Sequence, residues 1–254
     1  MFLSDLYKNT LVHLILEESV EDIKRLDKEG KFKNFLKITK EEQDKNWKSM
    51  SDQQKFRMTT FRLLTEVLKK AELLNYCEAF INSYPKRRLW QKNFSRADYV
   101  IYHLENYYRN ITGILDRFLL FVNHLYRIGL PQNEVKFRLI INNENLKNEK
   151  VVAILKAFDK GIQGIKGLRN MIEHRGRYSD SVIDEIGSYE LILNKSESLT
   201  QKQKNVLKVY LKIKYSSYIR KKKKELVSNN DQIFIACDKF FDSLVSIYKN
   251  PLKL

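Results

Sequence analysis

Prolines, glycines and cysteines are scarce in this chain. Its 254 residues include 3 prolines, 8 glycines and 2 cysteines. So few helix-breaking residues, together with long runs rich in Lys, Glu, Leu and Ile, are typical of helices, and we predict an all-α fold. A hydrophobic content of 43% is enough to bury a core in one large domain, or in a core with an elaborated end.

The two cysteines, Cys77 and Cys237, stand apart from each other and from any CxxC pair or Cys/His cluster. Each lies in an apolar helical context, which indicates a small core residue in a reducing compartment. The sequence therefore suggests no metal site and no cofactor. Long hydrophobic runs are also lacking, because the apolar residues 11–16 include His13 and lead into Glu17. We expect no signal peptide and no membrane span, and hence a cytoplasmic protein.

Acidic residues are outnumbered, with 31 Asp and Glu against 47 Lys and Arg. The net charge of +16 and the pI near 9.6 favour a polyanionic partner such as RNA. Most of the basic residues are lysines, in a chain that is also rich in Asn and Ile. A biased genome composition produces the same excess, so charge alone leaves the partner open.

The most specific pattern is LRNMIEHRG, residues 168–176. It closes a predicted helix that starts near residue 148 and whose apolar residues recur at steps of four, three, four and three. Those apolar residues are Val151, Leu155, Phe158, Ile162 and Ile165. The next two positions in the series are Arg169 and Ile172, so a permanent cation stands where a buried aliphatic residue is due. Because an isolated buried charge is costly, Arg169 must meet a partner group, a ligand or a second subunit.

The end of this predicted helix places a histidine in its last turn. Gly176 offers the left-handed conformation that ends many helices, and His174 comes two residues earlier. From Arg169 to His174 a helix turns about 140° beyond one revolution, so the two side chains do not meet within one straight helix. A neighbouring chain can bring them together. Asn170 shares a face with His174, and its amide can hydrogen-bond and orient the imidazole.

At Arg169, Asn170 and His174 the chain resembles the HEPN superfamily. Its ribonuclease members carry an Arg, usually a polar residue directly after it, and a His near the end of a helix. The resemblance implies a HEPN-like helical bundle that forms a homodimer, in which two Arg/His pairs line one cleft and cut RNA without a metal. In that reaction the His is general acid or base and the Arg stabilises the phosphate. The resemblance also implies a prokaryotic defence or toxin setting, with a cognate antitoxin or regulatory partner.

The residues directly after the motif, Arg175, Arg177 and Tyr178, can form a rim that holds an RNA backbone and stacks a base. The same loop can instead pack against its own domain. Two other pairs, Arg96 with His103 and Arg117 with His124, fit the loose Arg-to-His spacing. Both lack the polar residue after the Arg and the glycine after the His, so residues 169–176 are the stronger candidate site.

Other interpretations stay open at this point. Arg169 and Glu173 are four residues apart and can form a surface ion pair, while His174 and Arg175 can simply complement the helix dipole. A non-catalytic RNA-binding or regulatory module fits the sequence as well as a nuclease does. A purely structural interaction protein is a third class, and it predicts no RNA affinity at moderate salt.

The remaining chain predicts a helical scaffold in two parts, an N-terminal helical extension over residues 1–94 and a HEPN-like domain over 95–254. Capping boxes predict helix starts at Ser51, Ser95 and Thr200. The predicted helices span about 3–28, 52–82, 96–129, 131–142, 148–176, 181–194, 201–228 and 230–250. The connector over residues 31–50 is polar and highly charged, with Trp47 as its one large anchor and room for a short helix.

Three further surface features follow from the pattern. A basic turn, residues 86–88, lies beside Tyr84 and Trp90 and suits phosphate contact and base stacking, although such turns are more often solvated. A polar seam on the long helix includes Glu105 and Arg109, and one or two of its members can reach the Arg169 region. The five cations at 220–224 span more than one helical turn, so most of them should be exposed.

Overall fold

The computed structural model describes residues 3–29, 40–84, 94–146 and 149–250, and all regular secondary structure in these ranges is helical. The predicted all-α class is confirmed. The helices are α1 Leu3–Leu6, α2 Thr10–Lys28, α3 Lys40–Ser49, α4 Asp52–Phe80, α5 Arg96–Leu125, α6 Phe137–Ile141, α7 Lys150–Gly161, α8 Gln163–Arg175, α9 Ser181–Lys195 and α10 Gln201–Lys249. Within the same ranges, no helix combines the length and the apolar character needed to cross a membrane.

Three long helices begin at capping boxes, as the sequence predicts. The Gln54 N–H donates to Ser51 Oγ at 3.2 Å, and the Ser51 N–H donates to Gln54 Oε1 at 2.9 Å. The same reciprocal arrangement precedes α5 at Ser95 and Asp98, and α10 at Thr200 and Gln203. Each box satisfies amide groups that the first helical turn leaves unpaired, so these helix starts are determined locally.

Two predicted boundaries are wrong. The predicted helix 3–28 is broken at Asn9, whose side chain accepts from the Leu11 N–H at 3.0 Å and starts α2. The two helices predicted from Thr200 onward are one continuous helix, α10. Asn230, expected to cap the second of them, accepts from Tyr107 Oη at 2.9 Å and donates to Glu78 at 2.9 Å. Because its side chain is engaged in tertiary contacts, it does not compete for the helix backbone.

The predicted motif helix is also two helices, α7 and α8, which are separated at Ile162. Gly161, Gly164 and Gly167 fall around this break, and glycine has low helix propensity because folding costs it the most backbone entropy. Ile162 and Ile172 are buried, whereas Arg169 is exposed. Arg169 thus lies on the apolar stripe but at the surface, and the expectation that it meets a ligand or a second subunit stays a prediction.

The connecting segments follow the sequence in part. The structure describes the connector only from residue 40, where α3 forms the short helix and Trp47 is 43% exposed, so it does not anchor the segment in a core. The stretch after Pro131 forms a short 3-10 turn, Gln132–Glu134, and then α6 instead of one helix. The basic turn at 86–88 and Trp90 lie outside the described residues.

The chain divides into two compact units that are not consecutive segments. The first unit comprises residues 1–69, 115–158 and 234–254, and the second comprises 70–114 and 159–233. The motif lies in the second unit. The predicted domain boundary at residue 94 stays a prediction, because these units group helices in space and not stretches of sequence.

Aromatic rings form the centre of the first unit. Phe118 and Phe240 stack with their ring centroids 3.8 Å apart, and Phe158 meets Phe118 edge-on at 5.2 Å. Cys237 precedes Phe240 on α10. It is buried and is a free thiol, as expected for a small core residue. In the second unit Cys77 is likewise buried, and burial raises its pKa to about 11, so this thiol stays protonated and unreactive.

Candidate functional site

The motif side chains lie on the last two turns of α8. Arg169, Asn170 and His174 are all exposed, and His174 stands in the last helical turn, as predicted. Gly176 ends the helix with a φ of 72°, the left-handed conformation that glycine adopts without a steric penalty. The local sequence therefore exposes a cation, an amide and an imidazole at one helix end.

Asn170 contacts Arg169 and not His174. Arg169 Nη1 donates to Asn170 Oδ1 at 3.4 Å, which is a long and weak hydrogen bond. Among the described residues, His174 has no hydrogen-bond or ion-pair partner. The orientation of His174 by Asn170, which their spacing allows, is therefore not formed within the single chain.

Glu173, the residue between the motif side chains, pairs with α5. Arg109 Nε lies 3.1 Å from Glu173 Oε1, and Arg109 Nη1 lies 3.5 Å from Glu105 Oε2. Two members of the predicted polar seam thus reach the motif region. Because Glu173 is engaged by Arg109, Arg169 does not form the surface ion pair with Glu173 that their spacing also allowed. The guanidinium of Arg169 is left exposed beside the neutral amide of Asn170.

Tyr178 anchors the loop that follows the motif. Its backbone N–H donates to Glu105 Oε1 at 2.7 Å, and its ring lies 5.5 Å from that of Tyr108. The residue is 2% exposed, and burial raises the pKa of its hydroxyl to about 12. A ring in this position is not available to stack an RNA base. For Tyr178 the structure supports the alternative interpretation, that the loop packs against its own domain.

Lys222 holds the same loop from α10. It is 9% exposed, and its Nζ lies 3.0 Å from Glu225 Oε2, 3.9 Å from Asp180 Oδ2 and 5.9 Å from the centroid of the Tyr178 ring. Burial lowers the pKa of Lys222, but Tyr108 and Glu225 outweigh that effect and the pKa is raised overall. The other four cations of residues 220–224 are exposed, as predicted. No sequence signal distinguishes Lys222 from its neighbours.

The two arginines after the motif are both at the surface. Arg177 Nη2 lies 3.2 Å from Asp184 Oδ1, and the other oxygen of Asp184 accepts from Ser179 Oγ at 2.6 Å and from the Asp180 N–H at 3.2 Å. Arg175 is exposed and has no ion pair with the described residues. Of the three predicted rim residues, Arg175 and Arg177 can therefore meet a phosphate backbone. To do so, Arg177 must give up its ion pair with Asp184 for one with a phosphate.

The other two histidines at loose Arg-to-His spacing have different surroundings. His124 Nε2 lies 3.0 Å from Thr60 Oγ1, and burial lowers the pKa of this imidazole. The ring of His103 packs edge-on against Tyr99 at 4.5 Å, and burial lowers its pKa as well. His103 lies inside α5, whereas His124 stands in its last turn with its ring engaged by Thr60 and Phe56. Nowhere in the described ranges do three His, Cys, Asp or Glu side chains group so as to hold a metal ion.

Comparison with protein families identifies the domain. Residues 62–222 match the family described as HEPN_Cthe2314-like HEPN, a range that covers more than half of the chain and includes the motif. The chain belongs to the HEPN superfamily. Comparison with curated proteins and comparison with solved structures gave no match. The HEPN match begins within α4, inside the predicted N-terminal extension, and ends within α10.

The hydrogen bond between the Tyr178 N–H and Glu105 should stabilise the folded HEPN domain. Glu105→Gln is expected to lower the free energy of unfolding by about 1–3 kcal/mol, because the neutral amide accepts more weakly from the Tyr178 N–H and from Arg109. Urea denaturation measures the change. Glu134→Gln is the matched control, since Glu134 is exposed, and should leave stability unchanged. Equal stability of Glu105→Gln and wild type would mean that this bond does not hold the loop.

Proposed function

We propose that this HEPN protein is a metal-independent endoribonuclease whose cutting site is composed of two copies of the chain. The observation that carries the proposal is the joint exposure of Arg169, Asn170 and His174 at the C-terminal end of α8. A cation or imidazole that is buried is held in place by partners in its own domain, so its position gives no reason to infer a ligand. These side chains have no carboxylate partner among the described residues and are accessible to a phosphate and a ribose.

The reaction that fits these groups is attack by the ribose 2′-hydroxyl on the adjacent phosphorus. The 2′-oxygen bonds to phosphorus, the bond to the 5′-oxygen breaks, and the products carry a 2′,3′-cyclic phosphate and a 5′-hydroxyl. His174 takes the proton of the 2′-hydroxyl or gives one to the leaving oxygen, as a general base or acid. Arg169 stabilises the charge of the pentacoordinate phosphate through its fork of donors.

The proposed site needs two chains, because a single helix does not bring Arg169 and His174 together. Arg169 and His174 are separated by about 140° around α8 in addition to a full turn. A two-fold-related copy can place His174 of one chain opposite Arg169 of the other. In such a site the phosphate draws Arg169 away from Asn170, whose amide is then available to orient His174. Arg175 and Arg177 would hold the RNA backbone on either side.

The setting that we propose follows from membership of the superfamily. We place the protein in the cytoplasm, in a prokaryotic defence or toxin system, where a cognate antitoxin or regulatory partner restrains cutting. The net charge of +16 supports RNA as the polyanionic ligand, and binding should weaken steeply as salt rises.

A second candidate is a non-catalytic HEPN dimer that binds RNA or regulates a partner. The observation that favours it is the contact of Asn170 with Arg169, which leaves His174 without an orienting group in the single chain. The same exposed arginines would then hold RNA without a proton-transfer group in place.

The experiment that separates the two candidates is cleavage of single-stranded RNA by purified protein in excess EDTA. The nuclease should produce a 2′,3′-cyclic phosphate, and a substrate with a 2′-deoxy residue at the scissile position should resist, because the attacking group is then missing. Binding without cutting would favour the second candidate. Cutting of the 2′-deoxy substrate at the same position, or a requirement for added metal, would contradict the proposed mechanism.

A further inference from the structure

An apolar stripe lies on the outer face of α10, in its N-terminal half. Val206, Val209 and Ile213 are 65%, 59% and 66% exposed. They follow one another at steps of three and four residues, so they share one helix face over about two turns. Leu211 and Tyr218 lie on the opposite face and are buried. The stripe is therefore an apolar face that the described residues leave uncovered.

α9 adds two more exposed aliphatic side chains beside α10. Leu191 and Ile192 are 54% and 43% exposed. The two helices are held together where the rings of Tyr189 and Tyr210 meet edge-on at 5.5 Å, and where the Tyr210 hydroxyl donates to Glu185 Oε1 at 2.6 Å. Exposed aliphatic side chains that are grouped in this way mark an interaction surface, whereas single ones need no explanation.

The charges around the stripe are all of one sign. Residues 201–224 contain ten Lys and Arg and no Asp or Glu. Lys202 and Arg220 stand in line with the stripe, four residues before it and seven residues after it, and Lys212 flanks it. All three are exposed, and none forms an ion pair with the described residues. The stripe is thus a short apolar patch with free cations at both ends and on one side.

These charges decide which partner fits. A second copy would place lysines against lysines, because the same segment carries no carboxylate to offset them. RNA would satisfy the cations, but Val and Ile side chains neither stack on a base as aromatic rings do nor hydrogen-bond to it. A bilayer favours cations along the sides of an apolar face, whereas Lys202 and Arg220 would be carried toward the acyl chains. An acidic amphipathic helix matches both the stripe and its charges.

We propose that the outer face of α10 between Lys202 and Arg220 binds a partner protein through an acidic amphipathic helix. Apolar side chains of the partner pack on the stripe, and its Asp or Glu side chains meet the surrounding cations. Lys222, which holds the loop after the motif, lies about 20 Å along the helix axis from Val209. The surface contains no motif residue, so its use does not depend on whether the protein cuts RNA.

Fluorescence anisotropy with a labelled helical peptide tests the proposal. The probe is a peptide of about 21 residues, long enough to form a helix, with Leu at i, i+3 and i+7 and Glu on both sides of that stripe. It should bind saturably, and the same peptide with Lys for every Glu should not. Val209→Ser and Ile213→Ser should each weaken binding by about tenfold, because an apolar contact is lost. Val20→Ser, at a valine of α2 that is 48% exposed, is the matched control and should bind like wild type.

A charge reversal gives an independent test. Lys202→Glu combined with Lys212→Glu should weaken binding of the acidic peptide by about tenfold or more and should allow the basic peptide to bind. Lys239→Glu, at an exposed lysine further along α10, is the control for this change. The substituted side chains are all exposed, so melting temperatures should stay close to that of wild type.

Three results would overturn the proposal. One is a lack of saturable binding by the acidic peptide. Another is equal affinity of Val209→Ser and Val20→Ser for it. The third is the finding that Val209→Ser abolishes self-association, binding of single-stranded RNA or binding to phosphatidylglycerol vesicles while it leaves peptide binding unchanged. The face would then belong to a second copy, to nucleic acid or to a lipid surface.

Discussion

His174→Ala is expected to lower RNA cleavage by about 10²–10⁴-fold, the usual contribution of a positioned general acid or base. The substitution removes proton transfer and leaves the cations of the site in place. RNA affinity should therefore remain close to that of wild type, and the loss should appear in the rate of cutting and not in the concentration of half-saturation. Single-turnover cleavage of a labelled RNA, with affinity measured in parallel by anisotropy, gives both quantities.

The chain offers a matched control for this substitution. His13 is also exposed on a helix, with 62% of its side chain accessible, and its Nδ1 lies 3.1 Å from Glu17 Oε2. His13→Ala makes the same chemical change in the first unit and should cut RNA like wild type. Cleavage by His174→Ala at the wild-type rate, in a preparation free of contaminating nuclease, would remove the catalytic role from this histidine. An equal loss in both variants would point to general damage to the protein.

The parts of the site that the sequence predicts are those that depend on neighbours in the chain. Gly176 permits the left-handed helix end, and its place fixes His174 in the last turn. The capping boxes at Ser51 and Ser95 are equally local, since each involves residues three positions apart. For such features, identity and spacing are sufficient, because the interacting groups are already adjacent.

The break between α7 and α8 shows where the periodicity argument fails. Apolar residues continue at helical spacing across Gly161 and Ile162, so the stripe predicts one helix. The chain breaks the helix at these glycines instead, yet Ile172 beyond the break is still buried while Arg169 faces solvent. A second chain or a ligand can therefore still meet Arg169, and the two-chain site is proposed from an exposed cation and an exposed imidazole that one helix does not align.

Contacts between distant segments account for the rest. The identity of Tyr178 favours a base-stacking role, yet Glu105 binds its backbone and Tyr108 packs on its ring. Lys222 is one of five consecutive cations, and its burial follows from the positions of Asp180 and Glu225 around it. Neither outcome is encoded in local spacing, because the partners come together only when α5, α9 and α10 pack.

Mixing two inactive variants should restore part of the activity if the site is composed of two chains. Arg169→Ala keeps His174, and His174→Ala keeps Arg169, so a mixed dimer contains one site with an intact Arg from one chain and an intact His from the other. With equal amounts and random exchange, half of the dimers are mixed and each has one intact site of two, which predicts about a quarter of wild-type cleavage. Each variant alone should remain inactive.

The complementation also discriminates between arrangements of the site. Subunits must be exchanged, by mild denaturation and refolding or by co-expression with two affinity tags, and the doubly tagged dimers are then assayed. A double variant, Arg169→Ala with His174→Ala, is the control partner, because it supplies a second chain but neither functional group. Recovery with the single variants and none with the double variant would mean that Arg169 and His174 act across the interface. No recovery in purified mixed dimers, or a protein that stays monomeric at micromolar concentration, would contradict a site shared in this way.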